Sequence, residues 1–290
     1  MKMITVFTPT YNRGYILNNL YNSLKKQSFT DFEWLIVDDG STDNTEELVD
    51  KWSKNDDILI RYYKKENGGK HTAINKGVEI AQGKYFIIVD SDDYLVDDAL
   101  EKIIAYFEES DLDRSKYAGI SGTKITTNGE LIGTMFNGKE YIDCTCLERN
   151  ENSIRGDKAE VFFLDVLKRY PFPVFQGERF INEAVVWNRI ARDGLKIRWY
   201  NTPFVVCEYR NDGLTSQRGR LQNKNPQGSL LYLEELIKSD KRLLTKVAHL
   251  SSYVGIAKKI YSDYEIVKQL GIPHFMLPIF KLIYMIRGTN

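Results

Sequence analysis

Two patterns of hydrophobic and polar residues alternate along the first hundred positions, one typical of strands and one typical of helices. Short β-branched and aromatic runs, which are typical of strands, occupy residues 4–8, 34–37, 58–63 and 85–89. Between them, apolar residues recur at helical spacing over residues 15–27, 43–52 and 72–81. The last strand pattern is wholly apolar, as expected for a strand buried on both faces of a parallel sheet. Strand–helix units in this order predict right-handed crossovers and an α/β fold with a doubly wound, mostly parallel sheet.

The pattern changes beyond these units. Residues 117–209 mix short strand patterns with two predicted helices, at 162–169 and 182–193, and helical periodicity dominates from Pro226 onward. A polar stretch at 217–226, with few apolar residues, marks an approximate boundary between these two regions. We therefore expect one domain over residues 1–220 and a C-terminal helical extension over residues 221–290.

Local signals also predict where individual helices begin. Asp43 stands three residues before Glu46, a spacing that resembles a capping box at the start of the second helix. A further helix is expected to begin near Asp97.

Composition narrows the functional classes. The chain has 40 Lys and Arg and 40 Asp and Glu, and this balance argues against nonspecific binding of nucleic acid. Its three cysteines, Cys144, Cys146 and Cys207, include no second pair that could complete a four-thiolate zinc site, so we expect reduced thiols in a cytoplasmic protein. The N-terminus lacks the apolar core of a signal peptide, and no apolar run reaches the roughly 18 residues of a membrane span. We expect a soluble protein, attached at most to the inner face of a membrane.

Polar and acidic clusters follow the predicted strands. In a doubly wound sheet, ligands bind beyond the carboxyl ends of the strands, so these clusters mark the expected site. They are Thr8-Pro9-Thr10-Tyr11, Asp38-Asp39-Gly40-Ser41, Asn67-Gly68-Gly69-Lys70 and Asp90-Ser91-Asp92-Asp93.

The segment from Asp90 to Asp93 places three acids at the end of a buried strand. Crowded carboxylates repel one another and lose solvation there unless a cation or a ligand rich in donors compensates. Their oxygens suit Mg²⁺ or Mn²⁺, ions whose coordination is commonly completed by substrate phosphates. The alternative is that these acids cap the helix expected near Asp97, although one Asp would be enough for that.

Asp38 and Asp39 form the second acidic cluster. A carboxylate at a strand end can accept a hydrogen bond from a nucleobase or a ribose hydroxyl. The alternative is a strand-to-helix turn in which Asp and Gly satisfy the backbone alone.

Two segments, TPTYNRGYILNNLYNSLKKQSFTDFEWLIVDDGSTDNT and NGGKHTAINKGVEIAQGKYFIIVDSDD, resemble family-2 glycosyltransferases with the GT-A fold, above all bacterial enzymes of surface-polysaccharide assembly. The resemblance is close over residues 3–105 and looser to about residue 215. It implies inverting transfer of a hexosyl or N-acetylhexosaminyl group from a metal-bound UDP-sugar to a glycan or lipid-linked acceptor. It also divides the catalytic domain into a nucleotide-binding half (1–115) and an acceptor half (116–220).

The resemblance assigns roles in nucleotide binding. Thr8, Pro9 and Tyr11 match the first-strand segment that lines the nucleotide pocket. Asp39 matches the carboxylate that binds the uracil ring, and Lys70 lies in the loop that approaches the diphosphate.

The resemblance also assigns a metal motif to Ser91-Asp92-Asp93. Asp93 is the expected direct ligand of Mn²⁺ or Mg²⁺, and Asp92 is expected near the ribose or the donor sugar. Asp90 also fits an Asp-x-Asp pattern, so the choice of the acids that contact the metal stays open.

The catalytic base is expected in the second half, where family members often carry a Glu-Asp pair at the start of a helix. The corresponding residues here are Asn182 and Glu183, so both positions depart from the usual pair. Inverting transfer needs a group that takes the proton of the acceptor hydroxyl. We predict Glu183 as this base and Glu178 as the second choice. The alternative is that Glu183 is a surface residue beside a helix start.

Two further expectations concern the surroundings of the site. Residues 209–216 contain Gly213 and resemble a loop that closes over the donor. Residues 273–287 combine apolar side chains with Lys281 and Arg287, which suits peripheral membrane contact, packing on the catalytic domain or a homodimer contact. Two other functions remain open: a non-catalytic scaffold subunit that binds nucleotide sugars, and a sugar nucleotidyltransferase of related fold.

Overall fold

A computed structural model describes residues 2–55, 58–208, 218–240 and 242–287. Within them, strands and helices alternate as the sequence predicts. The strands are β1 (Ile4–Thr10), β2 (Phe32–Asp38), β3 (Leu59–Lys64), β4 (Tyr85–Ile88), β5 (Asp93–Leu95), β6 (Tyr117–Thr126), β7 (Tyr141–Cys144), β8 (Lys158–Phe163) and β9 (Lys196–Cys207). The helices are α1 (Asn18–Lys25), α2 (Thr45–Ser53), α3 (Lys70–Ile80), α4 (Ala99–Ser110), α5 (Leu164–Leu167), α6 (Ala184–Arg192), α7 (Arg218–Lys224), α8 (Pro226–Ser239), α9 (Leu243–Ala257), α10 (Asp263–Leu270) and α11 (Leu277–Arg287), and 3₁₀ turns lie at Cys146–Glu148 and His274–Met276.

The first four strands form the parallel part of the sheet, in the order β3-β2-β1-β4. β1 and β2 run in register from Ile4 opposite Phe32 to Thr10 opposite Asp38, and every residue of both strands is buried. Burial on both faces explains why these strands are mostly apolar in the sequence, and the buried Glu33 is compensated by Thr5 and Arg61. Their carboxyl ends lie at one edge of the sheet, as predicted.

Helix α3 lies close to β1. A Cβ atom on Gly77 would stand 2.2 Å from the ring of Phe7, so only glycine permits this approach. The contact fixes α3 against the sheet and thereby the position of the residues at its N-terminus, Lys70 and His71.

Two predicted helix starts are wrong. The N-cap of α2 is Asn44, Asp43 accepts hydrogen bonds from the N–H and hydroxyl of Thr45, and Glu46 pairs with Lys64 (Nζ–Oε2 2.8 Å) instead of closing a capping box. The helix predicted at 162–169 begins only at Leu164, because the residues before it complete β8.

The second half of the sheet is mixed. β8 is antiparallel to β4 and β6, β6 is parallel to β9, and β9 is antiparallel to β5 and β7. The pairing of β5 with β9 sets Asp93 opposite Cys207. The α/β class with helices at the C-terminal end is confirmed, and the antiparallel pairings are confined to this second half.

The chain forms two compact units. The first contains residues 1–172 and 190–211 and holds the whole sheet. The second contains residues 173–189 and 212–290. The division predicted at residue 220 rests on composition and stays a prediction.

The C-terminal helices have a hydrophobic core of their own. Its buried members are Leu230, Leu233, Tyr253, Val254, Ala257, Ile266, Leu277 and Phe280. Among the described residues, no single helix is long and apolar enough to cross a membrane. One pair of helical segments, Asp263–Leu270 and His274–Arg287, has the length and composition together but is bent by 109°. The loop predicted to close over the donor, at 209–216, lies outside the described residues.

Candidate active site

The acids that follow β4 meet two lysines from distant parts of the chain. Lys70, the first residue of α3, pairs with Asp90 (Nζ–Oδ1 2.6 Å), and Lys124 of β6 pairs with Asp93 (Nζ–Oδ2 3.1 Å). The thiol of Cys207 donates to the same oxygen of Asp93 (3.1 Å). The fold thus assembles a charged cluster at the carboxyl end of the parallel strands.

The surroundings shift the pKa values of the three carboxyl groups in different directions. Burial raises the pKa of Asp92, and the negative charges of Asp90 and Asp93 raise this pKa further. Burial and the charge of Asp90 also raise the pKa of Asp93, although Lys124 opposes this. Burial acts in the same direction on Asp90, but Lys70 and Lys124 outweigh it and hold its pKa below the usual value. Three carboxylates face Lys70, Lys124 and Arg13, and the charge of Arg13 lowers the pKa of Asp90 and opposes the rise for Asp92. The net upward shifts fall on Asp92 and Asp93.

The donor set of this cluster fits a hard divalent cation. All three acids offer oxygen ligands, which Mg²⁺ and Mn²⁺ prefer, and a cation there would relieve the repulsion that raises the pKa of Asp92. Among the described residues, no three His, Cys, Asp or Glu side chains already form a metal-binding group. A metal therefore has to compete with Lys70 and Lys124 for the carboxylates. The alternative of helix capping is not observed, since the N-cap of α4 is Asp98.

Asp39 lies at the end of β2 and anchors the loop before α3. Its Oδ1 accepts hydrogen bonds from Lys65 Nζ (2.7 Å) and from the N–H of Gly68 (2.9 Å), and its Oδ2 accepts one from the N–H of Gly69 (2.7 Å). A carboxylate has about four acceptor sites, so roughly one remains on Oδ2. The turn role and a role in base recognition are therefore compatible.

Helix α3 begins immediately after this loop. Its N-cap is Gly69 at φ 93°, a backbone conformation that favours glycine. The N-terminus of a helix attracts anions, and Lys70 adds a positive charge at this one. Lys70 is thus at the edge of the sheet where the sequence placed it, and it contacts Asp90.

His71, the next residue, is buried. Burial lowers its pKa to about 4, with Asp39 opposing and Lys65 adding to the shift, so the ring is neutral near pH 7. Within the described residues, neither ring nitrogen has a hydrogen-bond partner, and the ring stands edge-on to Phe172 at 6.5 Å between centroids. This residue is a packed, uncharged side chain beside the loop that Asp39 anchors.

The first-strand residues have different surroundings. The hydroxyl of Thr8 is buried and accepts a hydrogen bond from Nε1 of Trp34 (2.9 Å), and Pro9 is buried beside it. Tyr11 is 48% exposed, so its ring reaches the surface at this edge. The backbone N–H of Asp39 donates to the carbonyl of Thr10 (2.8 Å), which joins the two strand-end segments into one wall.

The two candidate bases belong to the second compact unit. Glu178 is buried, and its carboxylate accepts the N–H groups of Gln227 (2.7 Å) and Gly228 (2.8 Å) in the first turn of α8. Glu183 lies at the start of α6, where its carbonyl accepts the N–H of Val186 (3.0 Å), and its side chain is half-buried. Glu178 therefore stabilises the start of α8, whereas the position of Glu183 at a helix start agrees with the predicted one.

Sequence reasoning missed three residues of the charged cluster and its surroundings. Lys65 and Lys124 neutralise Asp39 and Asp93, and Cys207 donates to Asp93. The only local signal was a lysine within the strand pattern of residues 117–126, where a buried charge requires a partner.

The fold is the GT-A fold of nucleotide-sugar transferases. Residues 5–159, more than half of the chain, match the family described as Glycosyl transferase family 2. The chain belongs to this family, which confirms the resemblance read from its motifs and disfavours the sugar nucleotidyltransferase alternative.

Several curated proteins are similar to the chain. Poly(ribitol-phosphate) beta-N-acetylglucosaminyltransferase TarS of Staphylococcus aureus strain MW2 is 35% identical over 219 residues, which cover 70% of this chain and 36% of TarS. Glycosyltransferase GlyG of Streptococcus pneumoniae serotype 4 is 35% identical over 112 residues, covering 39% of this chain and 37% of GlyG. An uncharacterized glycosyltransferase of Haemophilus influenzae is 32% identical over 208 residues, covering 66% of this chain and 81% of that protein. The chain thus spans little more than a third of the length of TarS and GlyG.

Solved structures share the fold. The crystal structure of S. aureus TarS 1–349 in complex with UDP-GlcNAc matches with a TM-score of 0.64 at 22% identity, covering 90% of this chain and 73% of that one. A mannosyltransferase from Pyrobaculum calidifontis in complex with GDP-Man and Mn²⁺ matches with a TM-score of 0.57 at 18% identity, covering 98% of this chain and 84% of that one. These matches confirm the GT-A fold.

Proposed function

We propose that the protein is an inverting glycosyltransferase that moves a sugar from a UDP-sugar to a hydroxyl of a glycan or lipid-linked acceptor in bacterial surface-polysaccharide synthesis. The observation that carries the proposal is the acidic cluster at the carboxyl end of β4, beside the N-terminus of α3, in which the pKa values of Asp92 and Asp93 are raised. The names of similar proteins add support, since TarS acts on poly(ribitol-phosphate) and TuaG of Bacillus subtilis is a putative enzyme of teichuronic acid biosynthesis.

The donor is proposed to bind at the wall formed by β1 and β2. The remaining acceptor site on Oδ2 of Asp39 suits the imide N–H of uracil, which a cytosine ring lacks. Tyr11, which is exposed beside the buried Thr8 and Pro9, is proposed to contact the donor, and Lys70 is proposed to contact the diphosphate. Solved TarS structures contain UDP and UDP-GlcNAc, which supports a uridine donor here.

The cluster after β4 is proposed to hold Mg²⁺ or Mn²⁺, with Asp93 and Asp90 as ligands. When bound, the metal neutralises the diphosphate and makes the nucleotide a better leaving group. Asp92 accepts a hydrogen bond from a ribose or donor-sugar hydroxyl. Lys70 and Lys124 hold the carboxylates in place until the donor and cation arrive.

Glu183 is proposed as the general base, with Glu178 still the second choice. As the acceptor oxygen bonds to the anomeric carbon, Glu183 takes its proton, and the bond from that carbon to the diphosphate oxygen breaks. Attack on the face opposite the leaving group inverts the anomeric configuration. Glu183 is preferred because the carboxylate of Glu178 already accepts two backbone N–H groups.

Thermal stabilisation by UDP-, GDP- and CMP-sugars, with and without Mn²⁺, tests the donor and metal assignments. We expect stabilisation by a UDP-sugar that requires the metal in the wild type and is lost in Asp93→Asn. Asp165→Asn, an exposed acid, is the control and should behave as the wild type. If no nucleotide sugar binds under any condition, the proposal fails.

Glu183→Gln distinguishes the enzyme from the non-catalytic scaffold. This variant should bind the donor as the wild type does but lose transfer by about 10²–10⁴-fold, because only proton transfer is removed. A wild type that binds the UDP-sugar tightly, yet never transfers or hydrolyses it, would favour the scaffold. Retention of configuration in the product would contradict the inverting mechanism.

A further inference from the structure

Helix α11 and the turn before it expose a row of apolar side chains. Phe275 is 73% exposed, Ile279 51% and Leu282 54%, and Met285 and Ile286 are also more than half exposed. Their spacing of three and four residues sets them on one side of the helix. We name this row, Phe275, Ile279, Leu282, Met285 and Ile286, the apolar face.

The opposite side of α11 packs into the hydrophobic core of the C-terminal helices. Leu277 and Phe280 are buried among the C-terminal helices, and Tyr284 packs against Gly255 of α9. The apolar face is thus additional to the side that holds the helix in place. Soluble monomers rarely expose a contiguous apolar row of this kind without using it for binding.

Charge along the chain indicates what binds there. Residues 218–290 contain twelve Lys and Arg against five Asp and Glu, whereas residues 1–217 contain 28 against 35. The zero net charge of the chain therefore conceals a basic C-terminal region. In the same helix as the apolar face, Lys281 pairs with Asp263 (Nζ–Oδ2 2.7 Å), and Arg287 is exposed.

A second apolar group lies toward the far end of this helix. Leu243 and Leu244, at the start of α9, are 75% and 85% exposed and stand next to Arg242. Tyr284 contacts Gly255, and the charge of Arg287 reaches His249, so α9 and α11 run antiparallel. The start of α9 therefore lies toward the C-terminal end of α11.

We propose that the apolar face docks on the surface of an anionic lipid bilayer. The exposed side chains enter the boundary between headgroups and acyl chains, and the basic residues of the C-terminal region contact anionic headgroups. A second copy of the chain is the weaker fit, because a symmetric contact through this face would bring two basic regions together.

Vesicle co-sedimentation of the full chain tests the proposal. We expect binding to phosphatidylcholine vesicles that contain about 30% phosphatidylglycerol, and weaker binding to pure phosphatidylcholine or at high salt. Ile279→Ser combined with Leu282→Ser should weaken binding by roughly fivefold to tenfold for each side chain removed. Val174→Ser, at a residue 63% exposed in the same compact unit, is the matched control and should bind as the wild type does.

Two controls keep the result interpretable. The double variant should retain the wild-type melting temperature and UDP-sugar hydrolysis, since both changed side chains are exposed and neither belongs to the candidate active site. Wild-type protein that does not bind anionic vesicles, or a double variant that binds them as strongly as the wild type, would overturn the proposal. A wild-type dimer that the double variant dissociates, together with no vesicle binding, would assign the face to a second copy.

Discussion

The ammonium group of Lys124 lies 3.1 Å from the carboxylate of Asp93, across 31 residues of sequence, and both side chains are largely buried. Burial lowers the pKa of Lys124, but the charges of Asp93 and Asp90 raise it by a larger amount, so the net shift is well upward. Removal of Lys124 would therefore leave Asp93 buried without its cationic partner, and Lys124 positions the acid expected to bind metal.

Lys124→Met should destabilise the protein by about 3–5 kcal/mol, because it leaves Asp93 buried and without its cationic partner. The free energy of unfolding in urea measures this. Lys54→Met is the matched control, since Lys54 forms an ion pair with Asp50 in which both side chains are exposed, and its loss should cost less than about 1 kcal/mol. Equal losses in the two variants would mean that the Lys124 pair is solvated.

His71 should make stability depend on pH. Its pKa is about 4 in the folded protein and about 6.5 in the unfolded chain, so the unfolded state binds the extra proton as pH falls through this range. The contribution of the neutral His71 to the free energy of unfolding is complete above pH 6.5, and about 2 kcal/mol of it is lost between pH 7 and pH 5.

Unfolding in urea at these two pH values, compared between the wild type and His71→Leu, isolates the contribution of His71. The variant should lose this part of the pH dependence, whereas the control His274→Gln, at an exposed residue, should keep it. An unchanged pH dependence in His71→Leu would show that the histidine ionises in the folded state.

Asp39→Asn should weaken UDP binding by about tenfold to a hundredfold. The amide replaces one acceptor oxygen with a donor. The side chain then has too few acceptor sites for its three present donors, Lys65, Gly68 and Gly69, together with the base. Isothermal titration with UDP measures the loss, and the exposed Asp50→Asn serves as control. UDP affinity that survives Asp39→Asn would leave Asp39 with its loop-anchoring role alone.

Glu178→Gln separates the two candidate bases. Glu178 accepts two N–H groups in the first turn of α8, so its loss should cost about 1–2 kcal/mol of stability. Transfer by the folded variant should stay within a few fold of the wild type, in contrast to Glu183→Gln. A thousandfold loss of transfer with unchanged stability would make Glu178 the base.

The order of strands and helices and the acidic clusters at the strand ends were predictable from the residues alone. β4 is wholly apolar and β1 and β2 are mostly apolar because both faces of a parallel sheet are buried, and this signal is local. Family membership followed from motifs that are equally local, at residues 8–11, 38–41 and 90–93.

The partners of the charged side chains depend on the tertiary structure. Lys65 reaches Asp39 across 26 residues, and Cys207 reaches Asp93 across 114, because the loop before α3 folds back on β2 and because β5 pairs with β9. The tertiary packing also decided which side of α11 is buried, since a helix that is apolar all round carries no local signal for the face that its neighbours cover. Contacts of this kind depend on distances between elements, and residue types along a chain do not specify those distances.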